Sequence, residues 1–541
     1  MVDYTILPPE TWLLVVEFLA TAFPMFDPMA PPPENDAAVL KISTHMRAVS
    51  SLSRFFYQIA YPYRFQEIHF KVDPSRSSTL KLRRIEELLD FLEHRPELKT
   101  WVRVLSAGRE SPSLWRPRGD NFESHYLAVE QRIFKFIPEL RRLNSLRCGF
   151  MSFPSSVLAG LLQLPQLERL EFEEFRVIQN PSEKTPDWDA VDQHRTALRY
   201  LTVNAVGPPS TPTTSAMVHL LKQENLVDLT YRPHVFLQVH RGVSLLWTIS
   251  SHTPDYVFTS LRQLHIMLPP SDVEAQHFVE LGGRCPNLTS LTITWNFLDT
   301  TSQLEDRLKR GGLTACHFPA LQRFEGPFSL APIFAQGRPV HTIFSDMFTQ
   351  LRGADRNENR IPLPLNIAAL KPSISLRVLH LVVSRWSDGD IEAIARHHPE
   401  LEELVYECLE TDAMVGDCSD PTHTASIHIF AVGLQCWSTR LEDAFRVLTK
   451  LKRLTLENME DDIPPGDADD DDYLIAKLRG LCPNLRYACI SWLGTWRFHS
   501  RHKVRKYSCD VHGGEMLTLA VKGLIMNVTK RARIEPSTAT Q

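Results

Sequence analysis

Four short stretches of this sequence carry residue types that could do chemistry. His397 and His398 are adjacent, and imidazole nitrogens are common metal ligands. The run EDDIPPGDADDDDY at 460–473 could chelate a cation or bind a basic partner. The stretch RFHSRHKVRKY at 497–507 and the segment KRARIE at 530–535 could contact nucleic acid. Each of these stretches also has a plainer structural interpretation.

The plainer interpretation is favoured in each case. Adjacent histidines on a helix point about 100° apart, and no cysteine follows them at ligand spacing, so a place at the end of a helix accounts for both. The acidic run is typical of a solvated loop whose last aspartates cap a helix starting near Tyr473. The basic stretches are short, and acidic surroundings offset them. We therefore expect no metal and no nucleic acid partner.

The sequence lacks the short motifs that carry catalytic chemistry. It contains no phosphate-cradling glycine loop, no G-x-S-x-G, no H-E-x-x-H and no calcium-loop pattern. We therefore expect a non-catalytic protein without a cofactor.

Composition points to a globular intracellular protein. The chain has 541 residues, of which 43% are hydrophobic and 23% charged, and its formal net charge is -5. No apolar run approaches the ~18 residues that cross a bilayer, and the start of the chain has no secretory signal pattern. The nine cysteines form no C-x-x-C pair, which favours buried reduced thiols. We expect the protein in the cytoplasm, the nucleus or both, with no membrane partner.

A degenerate repeat runs through most of the chain. Its pattern is L-x-x-L-x-apolar, as in LERLEF, LRYLTV, LRQLHI and LTSLTI. Twelve copies have their first leucine at positions 98, 140, 167, 198, 226, 261, 288, 321, 376, 401, 451 and 485. One such copy would be ordinary on an amphipathic helix. Repeated copies, many with a proline two residues before the leucine, favour a repeat architecture instead.

The residues around one copy predict a helix, a turn and a short strand. In LTITW the apolar residues Leu291 and Ile293 alternate with threonines, which is the period of a strand with one buried face. Upstream, Ser271 and Glu274 form a capping-box pattern, and a helix is predicted to end near Gly283. Its predicted core positions are Val273, Phe278, Val279 and Leu281.

Such units cannot bury their apolar faces alone, so they must stack. The predicted fold class is therefore α/β, a solenoid with strands on one face and helices on the other. The spacing resembles a leucine-rich repeat, although the asparagine usual after the strand is mostly missing.

The start of the chain carries a second resemblance. ILPPETWLLVVEFL at 6–19 and AVSSLSRFFYQIAYPYRFQEI at 48–68 resemble an F-box, whose pattern is L-P-x-E, an apolar helix and then an L-x-x-V-S/C-R-x-[FW] helix. The final PYRFQEI resembles the fungal form. A proline-rich insert at 22–37 lengthens the connection. The resemblance implies adaptor-binding roles for Leu7, Pro8, Glu10, Trp12, Leu13, Val16, Val49, Ser50 and Phe55.

These two resemblances imply a domain organisation and a function. Residues 1–70 would form a three-helix adaptor-binding F-box, 71–496 the leucine-rich-repeat solenoid, and 497–541 a cap and tail. An F-box protein binds a Skp-family adaptor and, through it, a cullin-RING ubiquitin ligase, while its solenoid binds a protein substrate. Two alternatives stay open: the first helices cap the solenoid, or the chain is a scaffold that never meets a cullin.

The strand pattern also predicts where a target would bind. Leucines of each strand point into the core, so the residues between them point outward and form rows about 5 Å apart. The outward residues that we expect to bind the target are His265, Met267, Thr292, Thr294, His380 and Glu407.

Overall fold

A computed structural model gives the structure of the chain. It describes residues 57–58, 61–72, 78–109, 120–179, 186, 188, 191, 197–204, 210–231, 245–268, 271–295, 301–345, 367–368, 370, 376–383, 388–408, 439–458, 476–490, 494–500 and 503–507. These residues fall into two compact units, divided between Val340 and His341.

The described part of the amino-terminal unit contains nine parallel strands, each paired with the next along the chain. Their bounds are β1 Glu67–Val72, β2 Val104–Arg109, β3 Ser145–Pro154, β4 Arg169–Ile178, β5 Tyr200–Val203, β6 Asp228–Tyr231, β7 Gln263–Leu268, β8 Ser290–Trp295 and β9 Arg323–Gly326.

Helices connect these strands and pack on one another in chain order. They are α1 Ser78–His94, α2 Pro96–Lys99, α3 Asp120–Phe136, α4 Ser155–Leu161, α5 Thr211–Leu221, α6 Leu245–His252, α7 Asp272–Gly283, α8 Thr301–Arg310 and α9 Ala331–Ala335, with 3-10 helices at Pro62–Phe65, Ile137–Glu139 and Phe328–Leu330. Helix α6 packs against α5 and α7, and α7 also packs against α8. Connections between parallel neighbours share one hand, so the helices lie on one face of the sheet.

One backbone carbonyl ahead of each strand fixes the register of the next repeat. The amides of Arg199 and Tyr200 both donate to the Glu168 carbonyl, at 2.8 and 3.0 Å. The same pair of hydrogen bonds to one carbonyl recurs along the unit, with acceptor carbonyls at Gln66, Arg103, Asn144, Glu168, Arg199, Val227, Arg262 and Thr289. Each repeat is thus held to its neighbour at the turn as well as along the strand, which opposes slippage.

The carboxy-terminal unit follows the same plan and then changes. Strands β10 Thr342–Ser345, β11 Val378–Val383, β12 Glu403–Cys408, β13 Arg453–Asn458 and β14 Tyr487–Ile490 are parallel. Strands β15 Gly494–Ser500 and β16 Lys503–Tyr507 are antiparallel additions. Among the described residues of this unit, helices include α10 Asp388–His397, α11 Thr439–Val447 and a helix at 476–481. The predicted boundary between solenoid and cap, at 496 and 497, falls inside β15.

The sequence prediction of an α/β, solenoid-like repeat is therefore confirmed. Ten of the twelve predicted leucines lie directly before the first of the two residues whose amides donate to one carbonyl of the preceding repeat. Their positions are 167, 198, 226, 261, 288, 321, 376, 401, 451 and 485. Each is buried within the core.

Two copies were assigned in the wrong register. Leu98 lies within α2, and Leu140 follows the 3-10 helix Ile137–Glu139, whereas the residues that precede the double hydrogen bonds are Val102 and Leu143. Pro96 and Pro138 each start a helical turn, so the leucine after them fills the core before the strand begins.

Helix α7 departs from its predicted details. Ser271 is the N-cap with an extended backbone, but its side chain makes no capping hydrogen bond. Val273, predicted as a core residue, is 60% exposed, whereas Phe278, Val279 and Leu281 are buried. The helix ends at Gly283, as predicted.

Of the nine cysteines, the structure gives the burial of four, and three of these fit the prediction of buried thiols. Cys148, Cys285 and Cys482 are free and buried, but Cys316 is free and exposed. Within the described residues, no helix is both long and apolar enough to cross a bilayer.

Candidate binding face

Four of the predicted target-binding residues lie together on two neighbouring strands. His265 of β7 pairs in register with Thr292 of β8, and Met267 pairs with Thr294. His265, Thr292 and Thr294 are half-buried, while Met267 is only 8% exposed and offers a partner little surface. The Thr292 Oγ1 lies 3.5 Å from Glu325 Oε2 on β9. This pair of strands presents a polar, uncharged patch.

The patch belongs to a row of outward residues that crosses the amino-terminal unit. Strand register places one outward residue of each strand beside the next, in the order His69, Ser106, Arg147, Glu171, Thr202, Thr230, His265, Thr292 and Glu325. The expected row of outward side chains is present in this unit except at Ser106, which is only 1% exposed. Its middle, over β5 to β8, is made of hydroxyl and imidazole groups that can both donate and accept hydrogen bonds.

Ion pairs flank this neutral stretch. On one side Arg147 Nε lies 2.7 Å from Glu171 Oε2, and on the other Arg323 Nη2 lies 3.0 Å from Glu325 Oε2. Near the first pair, the Asn204 amide donates to Glu173 Oε2 at 2.8 Å. These carboxylates are already paired, so they offer an incoming partner little free negative charge.

The other two predicted residues meet in the carboxy-terminal unit. His380 of β11 lies beside Glu407 of β12, with Nε2 and Oε1 2.8 Å apart, and the His380 ring also lies edge-on to Phe344. Just before β13 and β12, Lys452 donates to Glu402 at 2.6 Å, and this hydrogen bond lowers the pKa of Glu402. Paired charges dominate this surface.

Sequence reasoning missed a group of arginines at the amino-terminal edge of the strands in the first unit. Arg103, Arg169 and Arg199 lie before or at the start of β2, β4 and β5, and Arg141 and Arg142 lie in the turn that precedes β3. The signal that could have found them is the pair of residues between the two repeat leucines, as in LRYL at 198–201. That pair was treated as a spacer because it falls outside the alternating strand.

His397 and His398 form no metal site. His398 follows α10, is only 2% exposed, and burial lowers its pKa to about 4, with a further lowering from His397. A neutral histidine in the core does not match the predicted role at the helix end, which favours positive charge. The described residues hold no group of three or more histidine, cysteine or acidic side chains placed to bind a metal.

A buried carboxyl lies behind β2. Glu130 of α3 is 8% exposed, and burial raises its pKa to about 7, although the nearby Arg109 guanidinium opposes the shift. The Tyr126 hydroxyl lies 3.4 Å from Glu130 Oε1, and the Arg109 guanidinium lies 4.0 Å from the Tyr126 ring centroid. This cluster ties α3 to the end of β2.

A buried cation plays a similar structural part in α9 and its flanking turns. Arg338 is 3% exposed and donates to the carbonyls of His317 and Ile333, each at 2.7 Å, and of Phe334 at 3.1 Å. Burial lowers its pKa to about 10. Carbonyl oxygens satisfy the guanidinium here, so it organises the fold rather than a ligand.

No protein-family model matches the chain, and no curated protein matches it. The nine residues for which the F-box resemblance implies adaptor binding, Leu7, Pro8, Glu10, Trp12, Leu13, Val16, Val49, Ser50 and Phe55, all lie outside the described residues. Of the predicted module 1–70, the structure describes residues 57–58 and 61–70, which include the 3-10 helix Pro62–Phe65 and the start of β1. Strand β1 already belongs to the sheet.

Proposed function

We propose that this protein is the substrate-recognition subunit of a Skp-cullin-F-box ubiquitin ligase. The observation that carries the proposal is a combination within one chain. An F-box-like sequence pattern at 6–68 stands directly before a long stack of helix–strand repeats whose outward face is available for a partner. A receptor of this type needs both parts and no catalytic residues of its own.

The sequence pattern supports adaptor binding by a physical argument. A three-helix module of about 70 residues cannot cover all of its large apolar side chains. Leu7, Trp12 and Phe55 are among those that a partner would have to cover. A few such anchors at about 2 kcal/mol each, within an interface of about 1,600 Å², suffice for a stable complex with a Skp-family adaptor.

The repeat stack supports target binding on the strand face. The neutral row over β5 to β8 offers Thr202, Thr230, His265 and Thr292 on adjacent strands. A protein held there would lie near the conjugating enzyme, and its effective concentration would rise without any chemistry by this chain. The proposal places the protein inside the cell, in the cytoplasm, the nucleus or both.

Capture of a Skp-family adaptor by the full-length chain tests the proposal. The variant Trp12→Asp and the double variant Leu7→Ala with Pro8→Ala should lose capture, because each removes apolar anchors of the predicted interface. A matched control is Trp247→Asp, since Trp247 is 40% exposed on α6 and is not part of the predicted module 1–70. The control should capture adaptor as well as the wild type does. Full capture by both F-box variants would contradict the proposal.

The alternative is a leucine-rich-repeat scaffold that acts without a cullin ligase. It shares the repeat architecture and the strand face, so the described residues fit it equally well. Adaptor capture separates the two, because a scaffold has no reason to bind the adaptor through Leu7, Pro8 and Trp12.

A further inference from the structure

Five arginines gather at the amino-terminal edge of β2 to β5. We call this group the arginine edge, and its members are Arg103, Arg141, Arg142, Arg169 and Arg199. All are exposed except Arg169, which is half-buried. The double hydrogen bonds between successive repeats fix their spacing, because Asn144 donates to the Arg103 carbonyl, and Arg169 to the Asn144 carbonyl. Three strand steps separate the ends of the group, about 14 Å at ~4.8 Å per step.

The arginine edge has almost no counter-charge. Among the residues that the structure describes, no carboxylate lies within ion-pair distance of any of the five. Elsewhere in this unit arginines are paired, as Arg132 is with Asp90 and Glu93 at 2.6 and 3.0 Å. Two acidic residues, Glu139 and Glu168, lie in the same turns as these arginines. Glu139 forms an ion pair with Lys99 at 2.5 Å, which leaves the Glu168 carboxylate among the five arginines. The edge is therefore strongly positive on a chain whose net charge is -5.

Two of these guanidinium groups are held in place by an aromatic ring. The Arg169 and Arg199 guanidinium carbons lie 4.8 and 5.8 Å from the Tyr200 ring centroid. Contact with a ring orients a guanidinium plane and leaves its N–H groups directed outward. Side chains that are ordered before binding lose less entropy when a ligand arrives. Their fork of donors matches a carboxylate in a bidentate arrangement.

We propose that the arginine edge binds an acidic segment of a partner protein. An extended segment of about five residues, at ~3.3 Å per residue, spans the group. That this partner is the target of a ubiquitin ligase rests on the proposed function, but the binding itself does not. The neutral row of Thr202, Thr230, His265 and Thr292 begins on β5, the last strand of the edge, and gives the rest of the partner a surface to contact.

An acidic protein segment fits the edge better than nucleic acid does. Single-stranded nucleic acid is usually bound by aromatic rings on which bases stack, together with a basic groove along the backbone. Here the guanidinium groups of Arg169 and Arg199 already cover Tyr200. The edge therefore offers charge and donors but no free stacking platform at its centre.

Binding of a labelled glutamate-rich peptide to the full-length chain tests the proposal. The triple variant Arg103→Gln, Arg169→Gln, Arg199→Gln should weaken binding by about tenfold or more, as three charge-assisted contacts are lost. The control is Arg83→Gln, Arg176→Gln, Arg310→Gln, which changes the net charge equally on α1, the far end of β4 and α8. It should change affinity less than twofold, and both variants should melt as the wild type does.

Two outcomes would overturn the proposal. Equal affinities for the wild type and both variants would mean that peptide binding does not use the edge. Tighter binding of a single-stranded RNA of equal charge through the same three arginines would assign the edge to nucleic acid. Adaptor capture is measured on the same variants and should be unchanged. A failure of capture alone would therefore count against the ligase function and leave the acidic partner in place.

Discussion

At the scale of single residues, two buried titratable groups give the two units opposite responses to pH. His398 has its pKa lowered to about 4, so it contributes stability above its unfolded pKa of 6.5 and loses it as the pH falls. Glu130 has its pKa raised from 4.5 to about 7, so it contributes stability below 4.5 and loses it as the pH rises. Mild acid should therefore weaken the carboxy-terminal unit selectively.

The first prediction concerns His398→Gln, which removes the titrating group from the core. Between pH 7 and pH 5 the wild-type unit should lose on the order of 2 kcal/mol through His398, because the unfolded chain binds a proton that the folded core excludes. Amide hydrogen exchange of β12, whose repeat begins at Leu401 beside His398, measures this loss. The variant should be less stable at pH 7 but should show a smaller change with pH.

The control for that measurement is His94→Gln, a substitution at an exposed histidine at the end of α1. It should leave the pH dependence of β12 as it is in the wild type. An undiminished pH dependence in His398→Gln would show that another group causes the loss.

At the scale of elements, the sequence predicted strands better than it predicted register. Copies such as those at Leu198 and Leu288 were placed correctly, because alternating apolar residues follow the first leucine. The copies at Leu98 and Leu140 were misplaced, because in each case a helical turn that begins with a proline places its leucine in the core before the strand starts. The repeat that opens with Phe65 was missed, since an aromatic replaces the leucine there.

Strands β2 and β3 approach each other closely at Gly149, which the leucine pattern does not predict. A Cβ at this position would lie 2.0 Å from the Arg109 carbonyl oxygen, which is backbone and cannot rotate away. The neighbouring Gly108 has φ +105, which favours glycine. These two glycines let the strand ends pack where the pairing skips from Cys148 to Phe150.

The second prediction is that Gly149→Ala destabilises the amino-terminal unit by at least about 2 kcal/mol, the usual scale for an overpacked site. Thermal unfolding measures the loss. The matched control is Gly160→Ala in α4, where a Cβ would meet Pro138 at an ordinary 3.8 Å. This control should be neutral or stabilising by up to about 1 kcal/mol. Similar melting of both variants would contradict the close approach.

At the scale of the whole molecule, the candidate site was predictable only in part. Period-2 alternation predicted the outward row and placed His265 and Thr292 on adjacent strands. Alternation says nothing about which charges are already paired, so Glu407 was predicted to bind a target although His380 already contacts it. The arginine edge was missed for a related reason, because its unpaired state depends on neighbours from different repeats.

Two parts of this protein have different proposed tasks. The F-box-like pattern near the amino terminus is proposed to hold the adaptor, and the strand face with its arginine edge is proposed to hold a target. Neither task requires this chain to make a covalent bond. Holding a target near a conjugating enzyme that carries ubiquitin raises the effective concentration of the target's lysines. Transfer of ubiquitin should therefore depend on assembly rather than on the isolated protein.

Reconstituted ubiquitin transfer tests the central claim most directly. The full-length chain is mixed with a Skp-family adaptor, a cullin, a RING protein, activating and conjugating enzymes and ubiquitin, and conjugates on the chain's own lysines are measured. We predict conjugates only in the complete mixture, with loss when the adaptor is left out or when Trp12→Asp replaces the wild type. Transfer that persists without the adaptor, or that is equal for Trp12→Asp, would contradict the account.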